Sequence, residues 1–243
     1  DQSSADEMAD KVLTAFMAME NEFDCRLLSP VEAIREAKIV NCKKPVVLAD
    51  VQDNPGAGGT SDTTGLLAAL ISEEAKNAVL GLMCDPEMAR LAHQAGTGKI
   101  ICGSIGAKSG TPDQFPIVGS FLVEKLDEGN CRFTGEMYGG GLAVLGRSAV
   151  LKIISGESDI RIVVTSQRSQ CLDLGLFTHF GIEPQNFAIV CVKSTVHFRA
   201  DFEPIASRVI NVATPGAFVC ELDKIPYQHL PKMVKRGPAS KQK

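Results

Sequence analysis

Short apolar runs alternate with amphipathic stretches along most of the chain, and this alternation predicts strands followed by helices. The strand-like runs lie at 45–49, 78–83, 99–102, 160–165 and 187–192. Four of them lead into segments with apolar residues at helical spacing, at 62–72, 86–95, 171–180 and 202–210. Apolar strands that alternate with helices are typical of a sheet covered on both faces. We therefore predict an α/β fold with a mixed, largely parallel sheet and helices on both faces.

The first forty residues predict two further helices. Residues 3–23 place apolar side chains three or four positions apart, which is the spacing of an amphipathic helix. The sequence Ser29-Pro30-Val31-Glu32 then combines an N-cap serine, a proline at the first helical position and a glutamate two positions later. This combination is typical of a capping box, so we expect a second helix from here to about Lys38.

Residues 115–154 interrupt the alternation of strands and helices. Strand-like stretches lie on both sides of the turn sequence DEGN, and none of the segment has convincing helical spacing. We expect an antiparallel, β-rich insertion here, which either extends the sheet or forms a lobe on it. The polar residues 238–243 at the end of the chain predict a flexible tail.

Composition narrows the class of protein. Hydrophobic residues at 44% and charged residues at 22% are ordinary values for a globular protein of 243 residues. A net charge of −4 gives no basic footprint for nucleic acid or an anionic membrane, and no apolar stretch is long enough to span a membrane. The eight cysteines include no C-x-x-C pair, and several lie in apolar runs. We therefore expect reduced, structural cysteines in a cytoplasmic protein.

The loop that follows the first strand is the first of three polar segments with candidate chemistry. It contains Asp50, Asp53, Asn54 and a glycine-rich turn, and it matches neither a dinucleotide fingerprint nor a phosphate-binding loop. The glycines allow the backbone to approach a ligand, and amides at the next helix N-terminus could bind a carboxylate or an oxyanion. The alternative is a tight turn in which Ser61 or Asp62 caps that helix.

A second polar loop follows the strand at 187–192. Lys193, Ser194, His197 and Arg199 lie within seven residues, and donors of this kind could hold a carboxylate or a developing oxyanion. Asp201 would cap the following helix in this interpretation. The alternative is that Arg199 pairs with a nearby carboxylate and that His197 packs at the start of that helix.

A third loop, 165–170, also follows a strand, and it contains Arg168 and Ser169. Ser169 could simply cap the next helix. Because parallel strands end at the same edge of a sheet, we expect all three loops to lie together at that edge. The four histidines have no H-E-x-x-H or Asp-x-His spacing, and no G-x-S-x-G nucleophile motif occurs. Local motifs therefore provide no zinc site in this chain.

Two long stretches, PVVLADVQDNPGAGGTSDTTGLLAALI and VKSTVHFRADFEPIA, resemble the C-terminal region of metallopeptidases of the microcystinase C (MlrC) type. The resemblance runs from about Pro30 to Gly237. It implies a two-part, zinc-dependent hydrolase whose N-terminal domain binds the metal through an Asp-x-His pair and a further histidine. In that scheme residues 1–28 form a linker helix from the N-terminal domain, and residues 29–237 form the C-terminal domain.

The resemblance implies a zinc-activated water that attacks an amide bond of a small peptide. We expect this chain to complete the cleft without supplying the metal, and to carry no zinc and little activity by itself. The expected substrate-binding residues are Asp53, Asn54, Lys193, Ser194, His197 and Arg199. Two alternatives stay open. One is a module that binds a small anion without chemistry. The other is a structural dimerisation domain whose loops serve only as turns and caps, and loops that lie far apart would favour it.

Overall fold

The computed structural model describes residues 1–23, 26–40 and 42–237. The predicted flexible tail 238–243 lies outside the described residues, and so does Cys25. The chain divides into two units, which are described separately below. One comprises residues 27–218, and the other comprises 1–26 together with 219–243, as far as these are described.

The larger unit contains ten strands among the described residues. Eight of them form one sheet in the order β10-β1-β9-β2-β8-β7-β4-β3, and β5 pairs with β6 in a separate ribbon. The strands are β1 (Val46–Asp50), β2 (Ala78–Cys84), β3 (Ile100–Ile105), β4 (Ile117–Asp127), β5 (Asn130–Arg132), β6 (Leu142–Val144), β7 (Ser148–Ile153), β8 (Ile160–Thr165), β9 (Ile189–Val192) and β10 (Arg208–Val212).

The helices begin with α1 (Gln2–Ala18), which belongs to the smaller unit. The others are α2 (Pro30–Ile39), α3 (Gly65–Ser72), α4 (Pro86–Ala95), α5 (Gly175–Thr178) and α6 (Arg199–Phe202). The capping box predicted for α2 is present, because Ser29 accepts from the Glu32 amide and the Glu32 carboxylate accepts from the Ser29 amide. None of the described helices has the length and hydropathy that crossing a membrane requires.

The sheet has a parallel half and an antiparallel half. Strands β10, β1, β9, β2 and β8 are neighbours and run in the same direction. Strands β7, β4 and β3 then continue the sheet through antiparallel pairs, and β4 to β7 come from the predicted insertion. The predicted α/β class is confirmed, with a mixed sheet and an antiparallel region at 115–154.

Burial of the strands explains why their sequences are continuous apolar runs. Every residue of β1 and β9 is buried, as expected for strands covered on both faces. One apolar cluster joins these strands to the inner sides of α2, α3 and α4, with fully buried members such as Ile34, Leu66 and Met88. Because these strands are parallel, they all end at the same edge of the sheet. We call this edge the carboxyl edge.

The helix predicted at 202–210 is wrong. The segment contains only the end of α6, then a turn at Pro204, and then the edge strand β10, which pairs in parallel with β1. The sequence RVINV has the β-branched content of a strand, and proline lacks the amide that would continue a helix. Asp201 therefore lies inside α6 and does not cap a helix, since the N-cap position is Phe198.

Two other helices are shorter than predicted. Helix α3 begins at Gly65 and not at residue 62, because Asp62 and Thr63 use their polar groups in contacts across the carboxyl edge. Helix α5 has four residues, whereas the prediction spanned 171–180. Neither Ser61, Asp62 nor Ser169 acts as a helix cap.

The smaller unit consists of α1, a 3₁₀ turn at Glu20–Phe23 and an irregular C-terminal segment. Helix α1 buries none of its residues, and Val12, Phe16 and Met17 are each at least half exposed. The rings of Phe16 and Phe23 stack with their centroids 5.7 Å apart. The amphipathic helix predicted at 3–23 is therefore present, with its last residues in the 3₁₀ turn.

Candidate functional site

The three polar loops meet at the carboxyl edge, as predicted from their position after parallel strands. Arg168, after β8, donates from Nη1 to the carbonyl oxygen of Gly59 in the loop after β1, at 3.1 Å. Gln170 donates from Nε2 to Ser194 Oγ in the loop after β9, at 2.8 Å. Loops lying far apart would have favoured the dimerisation alternative, and the loops lie together.

The innermost part of the edge is a buried group that we call the Lys193 cluster: Lys193, Asp50, Asp53, Thr63 and Thr214. The Lys193 ammonium donates to Asp50 Oδ2 at 3.0 Å, to Asp53 Oδ2 at 2.9 Å, and to the carbonyl and hydroxyl oxygens of Thr63 at 3.0 and 2.9 Å. Thr214 donates to Asp50 Oδ1 at 2.6 Å. All five residues are at most 1% exposed. The Lys193 cluster is therefore held out of contact with bulk solvent.

Mutual pairing keeps Asp53 and Lys193 ionised despite burial. Burial by itself would raise the pKa of Asp53, but the Lys193 ammonium and hydrogen bonds from Thr63 outweigh it and lower that pKa below the ordinary value. Burial would likewise lower the pKa of Lys193, but the carboxylates of Asp50 and Asp53 reverse the direction and raise it. Lys193 therefore carries its charge at neutral pH, and all of its donor capacity is used inside the protein.

Asp53 also fixes the shape of the loop after β1. Its Oδ1 accepts from the Ser61 amide at 2.8 Å and from Thr60 Oγ1 at 3.2 Å, and its Oδ2 accepts from the Thr63 amide at 3.0 Å. Ser61 has a φ of 61°, a left-handed conformation that such a well-bonded loop can hold. Asp53 is thus an internal anchor of the loop.

Asn54 connects the first loop to the loop after β9. Its side-chain amide donates to Thr195 Oγ1 at 2.8 Å, and its side-chain oxygen accepts from the Gly56 amide at 2.9 Å. A Cβ atom on Gly56 would lie 2.2 Å from Gln170 Oε1, so a larger residue at 56 would displace the Gln170 side chain. The close approach of Gln170 therefore joins all three loops around this turn.

The outermost polar layer, which we call the rim, consists of Arg168, Gln170 and His197. Gln170 Nε2 lies 3.2 Å from His197 Nδ1 while it also donates to Ser194. When Gln170 donates to Nδ1, the neutral imidazole carries its proton on Nε2. Within the described ranges, His197 Nε2 has no hydrogen-bond partner and Arg168 has no carboxylate partner. The rim therefore offers two N–H donor groups to a ligand.

The remaining predicted residues are engaged inside the fold. Ser194 is fully buried and accepts from Gln170. Arg199 donates to Glu203, the C-cap residue of α6, and, from Nη2, to Asn211 Oδ1 of β10 at 3.0 Å. Arg199 thus pairs with a nearby carboxylate, as the alternative interpretation of this loop expected.

The amides at the start of α3 do not form an open anion site. The amides of Thr64 and Gly65 both donate to Gln114 Oε1, at 2.7 and 2.9 Å. Cys84, at the end of β2, is no better candidate for a nucleophile. Burial, together with the carboxylates of Asp62 and Asp85, raises the pKa of its thiol to about 11. Its thiol is therefore protonated near neutral pH.

Sequence reasoning missed several residues of this edge. Thr63, Gln114, Gln170 and Thr214 were not singled out, because uncharged polar residues in loops are common and carry no distinctive motif. Gln170 lies two residues beyond Arg168 in the third candidate loop. Its position in that loop was the signal that could have identified it. Thr214 follows β10. Its place at the carboxyl edge could not be predicted from a sequence interpretation that made this segment a helix and not a strand.

The residues at the edge do not fit a catalytic zinc ion. In the described part of the chain, no three His, Cys, Asp or Glu side chains lie together in an arrangement that could hold a metal. Asp50 and Asp53 both pair with Lys193, and the Asp62 carboxylate accepts four hydrogen bonds, from Thr60, Lys108 and Ser109. We therefore assign this chain no metal-dependent step of its own.

The geometry defines the class of this protein. It is an α/β domain whose parallel strands end at a cluster of polar loops. Residues 48–229 match the family described as the MlrC C-terminus, and this match covers most of the domain. The chain belongs to this family. The matched residues include the Lys193 cluster and the rim.

Two relatives agree with the family match. Microcystinase C from Sphingomonas sp. is 29% identical over 170 residues, which are 70% of this chain and 32% of that protein. The crystal structure of a candidate metallopeptidase from Mesorhizobium sp. BNC1 has the same fold, with a TM-score of 0.74 at 22% identity. That alignment covers 88% of this chain and 42% of the solved one. The chain thus spans less than half the length of either relative.

Proposed function

We propose that this chain is the C-terminal, cleft-completing domain of a zinc-dependent hydrolase that acts on amide bonds of small peptides. The observation that carries the proposal is the family match, which includes every residue of the carboxyl-edge site. The name of the Sphingomonas relative and the description of the Mesorhizobium one support a peptidase. An N-terminal metal-binding domain of the same protein would supply the zinc, which polarises the scissile carbonyl and activates water.

The residues of this chain would divide into two roles. The rim residues His197 and Arg168 would contact the substrate, because they have N–H groups without partners in the described structure. Donors of this kind bind a carboxylate or the oxyanion that develops during amide cleavage. Asn54 would line the turn beside them, since its side chain sets the distance between the first and second loops.

Four of the predicted residues would affect substrate binding indirectly, because they hold the loops and α6 in position. They are Asp53, Lys193, Ser194 and Arg199. Lys193 and Asp53 hold the first loop against the strand β9, and Ser194 holds Gln170. Arg199 holds α6 against β10. Six free cysteines between residues 42 and 191 agree with the reducing, cytoplasmic location that we include in the proposal.

The test requires the parent protein with its N-terminal domain and zinc. We expect His197→Ala and Arg168→Ala each to lower kcat/KM for small peptides by about 10²–10³, the usual loss when a donor to an oxyanion is removed. His229→Ala is the matched control, because His229 is exposed and lies outside the larger unit. Wild-type kinetics in both rim variants would remove these residues from the proposed cleft.

A non-catalytic anion-binding module is the second candidate, and the unpartnered donors of the rim are the observation that favours it. The two functions differ in the parent protein. A hydrolase should cleave peptides only with zinc bound, whereas a binding module should show no cleavage and should retain an anion through Arg168. Isothermal titration of the parent with a small peptide and with acetate separates them.

A further inference from the structure

A second polar group lies between the β5–β6 ribbon and the start of α5, centred on Asp173. Asp173 is only 4% exposed. Its Oδ2 accepts from the amides of Thr134 and Gly135, both at 3.0 Å. Its Oδ1 has no hydrogen-bond partner, and its carboxylate has no ion pair, among the residues that the structure describes. A buried carboxylate in this situation is costly unless a proton, water or cation satisfies it.

Three oxygen atoms converge beside Gly175. Thr134 Oγ1, Asp173 Oδ1 and the carbonyl oxygen of Arg132 lie 2.7, 2.9 and 3.0 Å from the position that a Cβ atom on Gly175 would occupy. Any larger residue at 175 would push these oxygens apart. The absence of a side chain therefore lets a hydroxyl, a carboxylate and a main-chain carbonyl approach one another.

A second carboxylate, from Asp201 in α6, lies close to Asp173. Its two oxygens lie 2.6 and 2.7 Å from the Cβ position of Gly135, and the Cβ of Asp173 lies 2.9 Å from the same point. Asp201 Oδ2 accepts from the Leu174 amide at 3.3 Å. No lysine or arginine pairs with Asp201 in the described ranges, and like charges this close repel each other unless a cation joins them.

We propose that Asp173, Asp201, Thr134 Oγ1 and the Arg132 carbonyl form a binding site for a hard divalent cation, with Ca²⁺ the best match. Carboxylates, a hydroxyl and a main-chain carbonyl are oxygen donors, and Ca²⁺ accepts such mixed, irregular sets more readily than Mg²⁺ does. The two carboxylates balance its charge. Only two of the four donors are acidic side chains, so the site is consistent with the lack of any three-residue His, Cys, Asp or Glu group.

Cation binding would join three segments that follow different strands. Arg132 and Thr134 belong to the ribbon and its connecting loop, Asp173 precedes α5, and Asp201 lies in α6. Helix α6 follows directly after the loop that contains His197. A bound cation should therefore stabilise the folded state and fix the ribbon relative to the carboxyl edge.

The test uses this chain, stripped with EGTA and dialysed. Isothermal titration with Ca²⁺ should give one site per chain, and the thermal midpoint should rise with Ca²⁺ concentration. At a free concentration 100 times Kd, binding should increase the folded-to-unfolded ratio about a hundredfold. Mg²⁺ should bind more weakly. If neither cation binds or shifts the midpoint, Asp173 is satisfied by a proton or by water and the proposal is wrong.

Variants decide whether Ca²⁺ binds at these residues. Asp173→Asn keeps the shape of the side chain and should weaken Ca²⁺ binding at least tenfold. Gly175→Ala and Thr134→Val test the same oxygens by another route, should the first variant fail to fold. Asp62→Asn is the control, because Asp62 is 5% exposed and both of its oxygens already accept hydrogen bonds. Unchanged Ca²⁺ affinity in Gly175→Ala and Thr134→Val would overturn the assignment.

Discussion

The Lys193 cluster and the rim occupy the same edge of the sheet, but they differ in where their charges and donors are directed. In the cluster, every donor of Lys193 is satisfied by Asp50, Asp53 or Thr63, and no member is more than 1% exposed. In the rim, Arg168 is exposed and His197 keeps a ring nitrogen without a partner in the described structure. The comparison separates residues that build an edge from residues that can meet a ligand.

Strand order explains the difference. β1 lies between β10 and β9, so Asp50 at the end of β1 has Lys193 on one side and Thr214 on the other. These groups are brought together by adjacent strands and become buried as a set. The rim residues lie three or more positions beyond the ends of β8 and β9, where the chain has already reached the surface.

The largest effect should come from removing the central cation of the cluster. Lys193→Met leaves Asp50 and Asp53 buried without their counterion, and breaking a buried ion pair in this way costs about 3–5 kcal/mol of unfolding free energy. Urea denaturation measures the change. Lys152→Met is the control, because its partner Asp159 is partly exposed and such pairs contribute about 0–1 kcal/mol. A loss below about 1 kcal/mol in Lys193→Met would show that the cluster is not a structural anchor.

The unfolding free energy at acid pH should also depend on the Lys193 cluster. The pKa of Asp53 is lowered in the folded state, so its ionisation stabilises the protein above the unfolded value of about 3.9. This stabilisation is lost as pH falls through the lower folded pKa. The difference in unfolding free energy between wild type and Asp53→Asn should be constant from pH 5 to 8 and should shrink below about pH 4.

Lys193 should have the opposite pH dependence: its contribution to the unfolding free energy is lost at high pH. Its pKa is raised in the folded state, so its contribution is complete below the unfolded value of about 10.4 and is lost as pH rises through the folded value. The difference between wild type and Lys193→Met should therefore persist to pH 10. A difference that disappears by pH 8 would contradict an ionised Lys193.

The sheet was largely predictable from the sequence, because buried parallel strands are continuous apolar runs bounded by glycine or polar residues. β2 and β8 were placed within one residue by that signal alone, and α4 was placed to the residue. The edge strand β10 was missed, because RVINV follows an apolar segment whose spacing also fits a helix. Only its pairing with β1 resolves that ambiguity.

The location of the site was predictable, but the role of each residue in it was not. Parallel strands bring their following loops together, and this rule located all three loops. It could not tell whether Lys193 faces water or two aspartates, because Asp50 and Lys193 are 143 residues apart and meet only through strand order. Arg199 and His197 differ by two positions, yet one is paired with Glu203 and the other reaches the rim.

A smaller effect is expected at the margin of the Lys193 cluster. Thr214→Val keeps the shape of the side chain but removes the hydroxyl that donates to Asp50 Oδ1. A buried acceptor left without a donor costs about 1–3 kcal/mol. Thr14→Val is the matched control, since Thr14 is exposed in α1 and its hydroxyl, among the described residues, donates to the carbonyl of Asp10. Equal losses in both variants would mean that the margin of the cluster contributes nothing specific.

The smallest change in stability should come from the rim. His197→Ala removes a partly exposed ring with one hydrogen bond among the described residues, to Gln170, and Gln170 keeps its bond to Ser194. The unfolding free energy should therefore change by about 0.5 kcal/mol or less, as for most surface positions. Ser194→Ala, at a buried position one layer deeper, should cost about 1 kcal/mol because Gln170 loses its acceptor. Thermal and urea unfolding of the two variants measure this difference in unfolding free energy directly. A larger loss for His197→Ala than for Ser194→Ala would place His197 among the anchors and would remove the distinction between rim and cluster.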